Sequence, residues 1–316
     1  MCTAATDPKN LDDGYLQKGD WQISFGYRRQ VSFRHFVGTV EQKEREELRT
    51  AIYNYVHLFD VGLTYAITRR TSISVGIPFM QATRFRQSTP DLATHSTGLG
   101  DISMSVRTWL LPPPAESGQN ISIGVGVKFP TGKPNVRDTV NTAAGPVTQV
   151  VDQSIQLGDG GTGVVLDMQA FKRVWQTTLY ASGVYLINPR NTNGVRTGRA
   201  RPSEAIMSVA DQYLARAGVV MPVRKVQGLA FSFGPRIEGV PVRDILGKSE
   251  GFRRPGYAIS VEPGMIYTRG KNTWNVSAPI AVQRNRRRSV TDIMDGRHGD
   301  AAFADYVLLI GFSRRF

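Results

Sequence analysis

The sequence predicts an all-β chain, an antiparallel up-and-down transmembrane β-barrel of about twelve strands. Three observations predict it. Apolar and polar residues alternate with period two in segments that recur from residue 21 to residue 316. The connections between those segments are short on one side and long on the other. Trp21, Trp109, Trp175 and Trp274 fall at the short-turn ends of their segments.

Taken in order, the first segment, 21–27, sets Trp21, Ile23, Phe25 and Tyr27 against Gln22, Ser24 and Gly26. The second, 51–67, opposes Tyr53, Tyr55, Phe59, Val61, Leu63 and Tyr65 to Asn54, Asp60, Gly62 and Thr64. The third, 72–80, carries Ile73, Val75, Ile77 and Phe79 on one face. The fourth, 98–110, opposes Ile102, Met104 and Val106 to Asp101, Ser103, Ser105 and Arg107. The fifth, 120–129, is the cleanest, with Ile121, Ile123, Val125, Val127 and Phe129 against Ser122, Gly124, Gly126 and Lys128.

The sixth, 161–171, places Val164, Leu166, Met168 and Ala170 opposite Asp167 and Gln169. The seventh, 175–187, has no clear parity. The eighth, 208–221, separates Tyr213, Ala215, Ala217 and Val219 from Gln212, Arg216 and Gly218. The ninth to eleventh, 229–238, 257–268 and 274–283, repeat the pattern, with Arg236, Glu238 and Glu262 on their polar faces. The twelfth, 306–316, has Tyr306, Leu308, Ile310 and Phe312 on one parity and runs to a terminal Phe316. Such an ending resembles the closing strand that outer-membrane assembly machinery reads, so that machinery is an expected partner through Phe316.

Composition agrees. The chain has 316 residues, 41% hydrophobic, with 32 Gly. No apolar run reaches the roughly 20 residues of a spanning helix, whereas alternation hides a spanning strand. The net charge of +13 would suit nucleic acid, but the Arg residues are scattered over loops, and nucleic acid is not an expected partner. A single cysteine, Cys2, excludes an intrachain disulfide and a Cys-based metal site. Neither a metal nor a cofactor is expected. Residues 1–20 are expected to form a periplasmic N-terminal segment and 21–316 the barrel. The stretch before residue 21 holds no apolar signal-like run, so a processed form is expected.

The turns expected at 68–71, 172–174 and 269–273 are tight, and 111–119 and 222–228 are short. The loops expected at 28–50, 81–97, 130–160, 188–207, 239–256 and 284–301 are long. This one-sidedness places the chain in a bacterial outer membrane, with a short-turn aromatic girdle of the four Trp beside Phe171, Tyr267 and Phe316.

Three motifs add a resemblance. Thr97-Gly-Leu-Gly-Asp-Ile-Ser-Met-Ser-Val-Arg107, Lys128-Phe-Pro-Thr-Gly-Lys133 and Leu157-Gly-Asp-Gly-Gly-Thr-Gly163 occur in that order. Together they resemble an outer-membrane transporter family linked to the meta-cleavage pathway of phenol degradation. The resemblance covers the fourth to sixth segments, and implies a barrel that passes small hydrophobic or aromatic molecules.

If the apolar parity meets lipid, the other parity lines the lumen with Asp60, Asp101, Arg107, Lys128, Asp167, Arg216, Arg236, Glu238, Glu262 and Asp305. Arg253, Arg254, Arg284, Arg286, Arg287 and Arg288 are expected as a basic extracellular rim for lipopolysaccharide or anionic solutes. The expected function is a channel for passive passage of small molecules, hydrophobic, aromatic or anionic, between lipid-facing walls. The alternatives are a plugged structural or adhesion barrel, or a rim hydrolase using histidines such as His298 between Asp295 and Asp300. Gly158-Asp-Gly-Gly161 reads as turns, with one carboxylate too few for calcium. No enzyme activity is expected.

Overall fold

The computed structural model describes residues 15–316. The expected segment 1–20 lies outside the described residues from 1 to 14, Cys2 included. Twelve antiparallel strands close into one barrel. They are strand 1 (Trp21–Val37), strand 2 (Ile52–Ala66), strand 3 (Thr71–Arg86) and strand 4 (Thr89–Leu99 and Ser103–Trp109). Strand 5 (Gln119–Lys128), strand 6 (Gly163–Val174), strand 7 (Thr177–Ile187) and strand 8 (Gln212–Pro222) follow. Strand 9 (Leu229–Phe233 and Pro235–Val240), strand 10 (Gly256–Val261 and Gly264–Arg269) and strand 11 (Asn272–Ser277 and Ile280–Arg286) are each interrupted once. Strand 12 (Ala301–Arg315) pairs back on strand 1 from Gln22↔Arg315 to Phe36↔Ala301 and closes the wall. Closure pairs each strand with two neighbours around the wall, which is what lets a sheet stand in lipid.

The alternation sets the two faces. Phe25, Val61, Val106, Ile123, Val125, Met168 and Ile310 are exposed on the outside, an apolar band with no protein cover. No helix is long and apolar enough to cross a membrane; the crossing elements are strands. Trp21 and Tyr65 (ring centroids 4.6 Å apart) and Tyr267, Trp274 and Phe312 ring the turn side of that band. Trp175, at 97% exposure, projects from the turn between strands 6 and 7.

Three expectations are corrected. Strand 1 does not stop at Tyr27 but runs on through Arg28, Gln30 and Ser32, whose polar side chains face inward and so mimic a loop in sequence. The loop expected at 81–97 is a hairpin extension, with Arg86 paired to Thr89 across a turn at residues 87 and 88. Trp109 and Phe171 do not join the outer girdle. They sit inside the turn-side end, where Tyr15 stacks on Phe171 (5.8 Å) and meets Trp109 edge-on (6.2 Å).

Strands 9, 10 and 11 break at Gly234 (next to Pro235), at Pro263 and at Pro279, and at each a proline's missing N–H removes a ladder bond and the backbone bends. Beyond that level strand 11 meets strand 12 in register only at Ile280↔Tyr306, whereas below it Asn272–Ser277 pair with Leu309–Arg314. Arg284 bridges the seam instead, donating from Nε to the Ala304 carbonyl (3.1 Å) and pairing with Asp305 (2.7 Å).

Candidate functional site

The inward face is dominated by charge pairs. Arg28 of strand 1 reaches Glu238 of strand 9 (3.3 Å), which also binds Arg236 (2.7 Å). Arg236 continues to Glu262 at the break in strand 10 (3.5 Å), and Glu262 takes Arg216 of strand 8 (3.2 Å) and the Ser277 hydroxyl (2.9 Å). This ladder crosses the lumen and divides it. On its loop side lies a cavity of about 800 Å³, and on its turn side smaller ones of about 240 and 300 Å³. Arg28 and Asp60 line both the large cavity and the 240 Å³ one.

Of the residues expected in the lumen, Arg216, Arg236, Glu238 and Glu262 are thus brought together. Arg107 pairs with Asp167 (2.8 Å) toward the turn side. Lys128 is 7% exposed and donates to Asp101 (3.1 Å), Asp159 (2.5 Å) and the Gly161 carbonyl (2.7 Å). Asp101 also accepts the Gly132 N–H (2.9 Å). The three sequence motifs therefore meet as one pin, fastening strand 4 at its break to both ends of the loop that links strands 5 and 6. Gly132 and Gly158 touch backbone to backbone there, and a Cβ on either would come within 2.6 Å of the other segment. Asp305 lies at the seam, held by Arg34 and Arg284 (2.7 Å each). Asp60 stands apart, with no ion pair or hydrogen bond to its carboxylate among the described residues.

Sequence reasoning missed the apolar part of the lining. Val165, Val184, Leu186, Leu214 and Val240 all line the large cavity. They are adjacent in register, Val165 beside Leu186 and Val184 beside Leu214. The signal was present as the unclear parity of strand 7. A strand with apolar side chains on both faces cannot alternate.

The expected basic rim is distributed differently. Arg253 and Arg286 are almost fully buried, in pairs with Asp244 (2.5 Å) and Asp292 (2.9 Å). Arg284 is buried at the seam, and Arg254 grips Asp152 through both of its amino groups (2.9 and 2.8 Å). Arg287 and Arg288 stay exposed. Four of the six are thus counter-charges to carboxylates, Arg253 to Asp244, Arg254 to Asp152, Arg284 to Asp305 and Arg286 to Asp292, rather than a solvated rim.

These pairs tie the loops over the mouth. The loop after strand 5 turns inward at the 3-10 turn Gln153–Ile155, packing Ile155 on Ala82 and Val151. Burial pushes the Asp152 carboxyl up, but Arg254, Arg84 and the Ser154 N–H outweigh it and hold it well below the ordinary range. Asp300 is likewise lowered despite burial, by His35 and Arg45. Asp292, despite burial, is lowered by the Ser289 N–H and Arg286.

The histidines are engaged in structural bonds. His35 Nδ1 meets Asp300 (2.7 Å) while its Nε2 accepts the Ile52 N–H (2.9 Å). His57 bonds Tyr27 on the outer face (2.8 Å), His95 bonds Asp138 (3.1 Å), and His298 bonds the Arg286 carbonyl (2.6 Å).

Comparison with known proteins places this architecture. No family model matches the chain, and no curated protein matches it. Among solved structures, an outer-membrane channel from Pseudomonas putida F1 is similar with a TM-score of 0.66 at 12% identity, covering 98% of this chain and 99% of that one. The β domain of a Bordetella autotransporter matches with a TM-score of 0.49 at 12% identity, covering 95% and 100%. The toluene transporter of Ralstonia pickettii matches with a TM-score of 0.45 at 9% identity, covering 100% and 96%. The closed twelve-stranded wall, its bare apolar band and its one-sided loops make this chain a bacterial outer-membrane β-barrel.

Proposed function

We propose that this outer-membrane barrel is a channel that passes small molecules with an apolar body, aromatic compounds among them. The observation that carries the reading is the apolar patch of Val165, Val184, Leu186, Leu214 and Val240 inside the 800 Å³ cavity. A lumen that only had to be filled with water or salt bridges would gain nothing from apolar side chains on its inner face, since inward positions carry polar residues at little cost. Binding sites for small molecules combine an apolar wall with a few polar groups, and this cavity does so. Its lining also reaches the seam between strands 11 and 12, through Ala281, Ala304 and Tyr306. The three motifs that resemble the phenol-degradation family support an aromatic solute.

The test is uptake by intact cells of a radiolabelled small aromatic solute, set against a sugar of similar mass. The barrel should raise aromatic uptake, and Val184→Asn with Leu214→Asn should remove most of that gain while leaving the barrel folded. Equal uptake with and without the barrel would overturn the reading. It would favour a plugged structural barrel, which has its own support in the Tyr15–Trp109–Phe171 cluster and the inward loop at Ile155.

A further inference from the structure

We propose that Asp60 is the specificity residue of the cavity, and that it selects solutes carrying a cationic amine on an apolar body. This rests on the channel reading above and deepens it.

Four carboxylates line the two chambers that meet at the ladder: Asp60, Asp101, Glu238 and Glu262. Asp101 is taken by Lys128, Glu238 by Arg28 and Arg236, and Glu262 by Arg216 and Arg236. Asp60 has no partner among the described residues, and its position explains why. Its neighbours in register are Gly26 on strand 1 and Pro78 on strand 3. Neither offers a side-chain donor, and the next inward position along strand 2 toward the turn is Gly62. Arg28 is the one cation lining both chambers with Asp60, and it is committed to Glu238 and Gln30.

A charge left open in a confined lumen gains by taking a counter-charge from whatever passes. The three cations of the ladder, Arg28, Arg216 and Arg236, are all engaged with its two carboxylates, Glu238 and Glu262, so Asp60 is the carboxylate at the constriction left open to a solute among the described residues. Five strands lie between strand 2 and strand 8 in either direction round the twelve-stranded wall, which puts Asp60 on the wall opposite Leu214 and its neighbour Val184. An ammonium group at Asp60 would leave its apolar body facing that patch. Two features on opposite walls thus describe one amphiphilic ligand.

The probes are 4-phenylbutylammonium and its neutral counterpart 4-phenylbutanol, bound at equilibrium to the barrel in nanodiscs, with empty nanodiscs subtracted. The wild type should bind the ammonium about tenfold more tightly than the alcohol. Asp60→Asn should abolish that preference without weakening the alcohol, and Asp60→Glu should keep part of it. Heat-modifiable gel mobility checks that each variant is folded. Equal binding of the two probes by the wild type overturns the inference but leaves the channel reading intact. A preference that survives in Asp60→Asn also overturns it. If neither probe binds and aromatic uptake is absent as well, both readings fall together.

Discussion

Val125→Arg tests which face of the wall meets lipid. Val125 lies near the middle of strand 5, is 58% exposed, and stands in register between Val106 and Leu166, both outward. An Arg on the lipid face near mid-membrane costs about 2–4 kcal/mol. That lowers the folded-to-unfolded ratio by about 30- to 900-fold. The paired control is Ser105→Arg, because Ser105 lines the turn-side cavity. There the same side chain can stay hydrated, so its cost should be under about 1 kcal/mol, the range of a surface change. Gly126 cannot serve as the control, although it also faces inward. A Cβ on it would meet the Met104 carbonyl at 2.5 Å and Ser105 at 2.7 Å, so any substitution there is a packing defect. Reversible guanidinium unfolding in vesicles, followed by heat-modifiable mobility, measures both variants. Equal destabilisation by the two substitutions would refute the assignment of faces.

Arg236→Met should destabilise by about 1–3 kcal/mol in the same titration, because it leaves Glu238 with only the longer Arg28 contact and Glu262 with only Arg216 and Ser277; no loss would show that Arg236 does not tie the ladder. Bromolipids brominated near the headgroup should quench Trp21, Trp175 and Trp274 and spare Trp109, read from single-Trp variants; quenching of Trp109 would place its ring outside. The loop closure over the mouth should be insensitive to pH from neutrality down to about 4. Asp152, Asp292 and Asp300 have lowered folded pKa values, so their stabilisation is present above the ordinary carboxylate pKa and is lost as pH falls through the lowered ones, which protease sensitivity of the loops would report. Phe316→Ala should lower outer-membrane yield in cells more than stability after refolding, since the bond from its backbone N–H to the Trp21 carbonyl survives the change; unchanged yield would discount Phe316 as an assembly signal.

The strand count and the faces of the wall were legible because lipid imposes alternation on every crossing strand. What misled was residue type set against parity. Trp109 shares the inward parity of Arg107, and Phe171 that of Asp167 and Gln169, yet aromatic character alone suggested the girdle. Inside, they pack on Tyr15, a contact between residues far apart in the chain that no local pattern announces. Strand 1 was cut short for the converse reason. Arg28, Gln30 and Ser32 look like the start of a loop only until their inward parity is followed past Tyr27.

The charged residues divide along the same line. Parity identifies which of them face inward, but whether a charge is spoken for depends on pairing between strands that are distant in sequence, as Arg28 and Glu238 are. Local sequence does carry one part of that answer. Antiparallel register is nearly fixed once tight turns are placed, so the turn at 68–71 already aligns Asp60 with Pro78, and closure of strand 2 on strand 1 brings Gly26 to its other side. A carboxylate between a glycine and a proline cannot be paired by its neighbours in the sheet. Among the described residues, the cation that shares both of its chambers, Arg28, is already bound to Glu238, which leaves the carboxylate open to a solute.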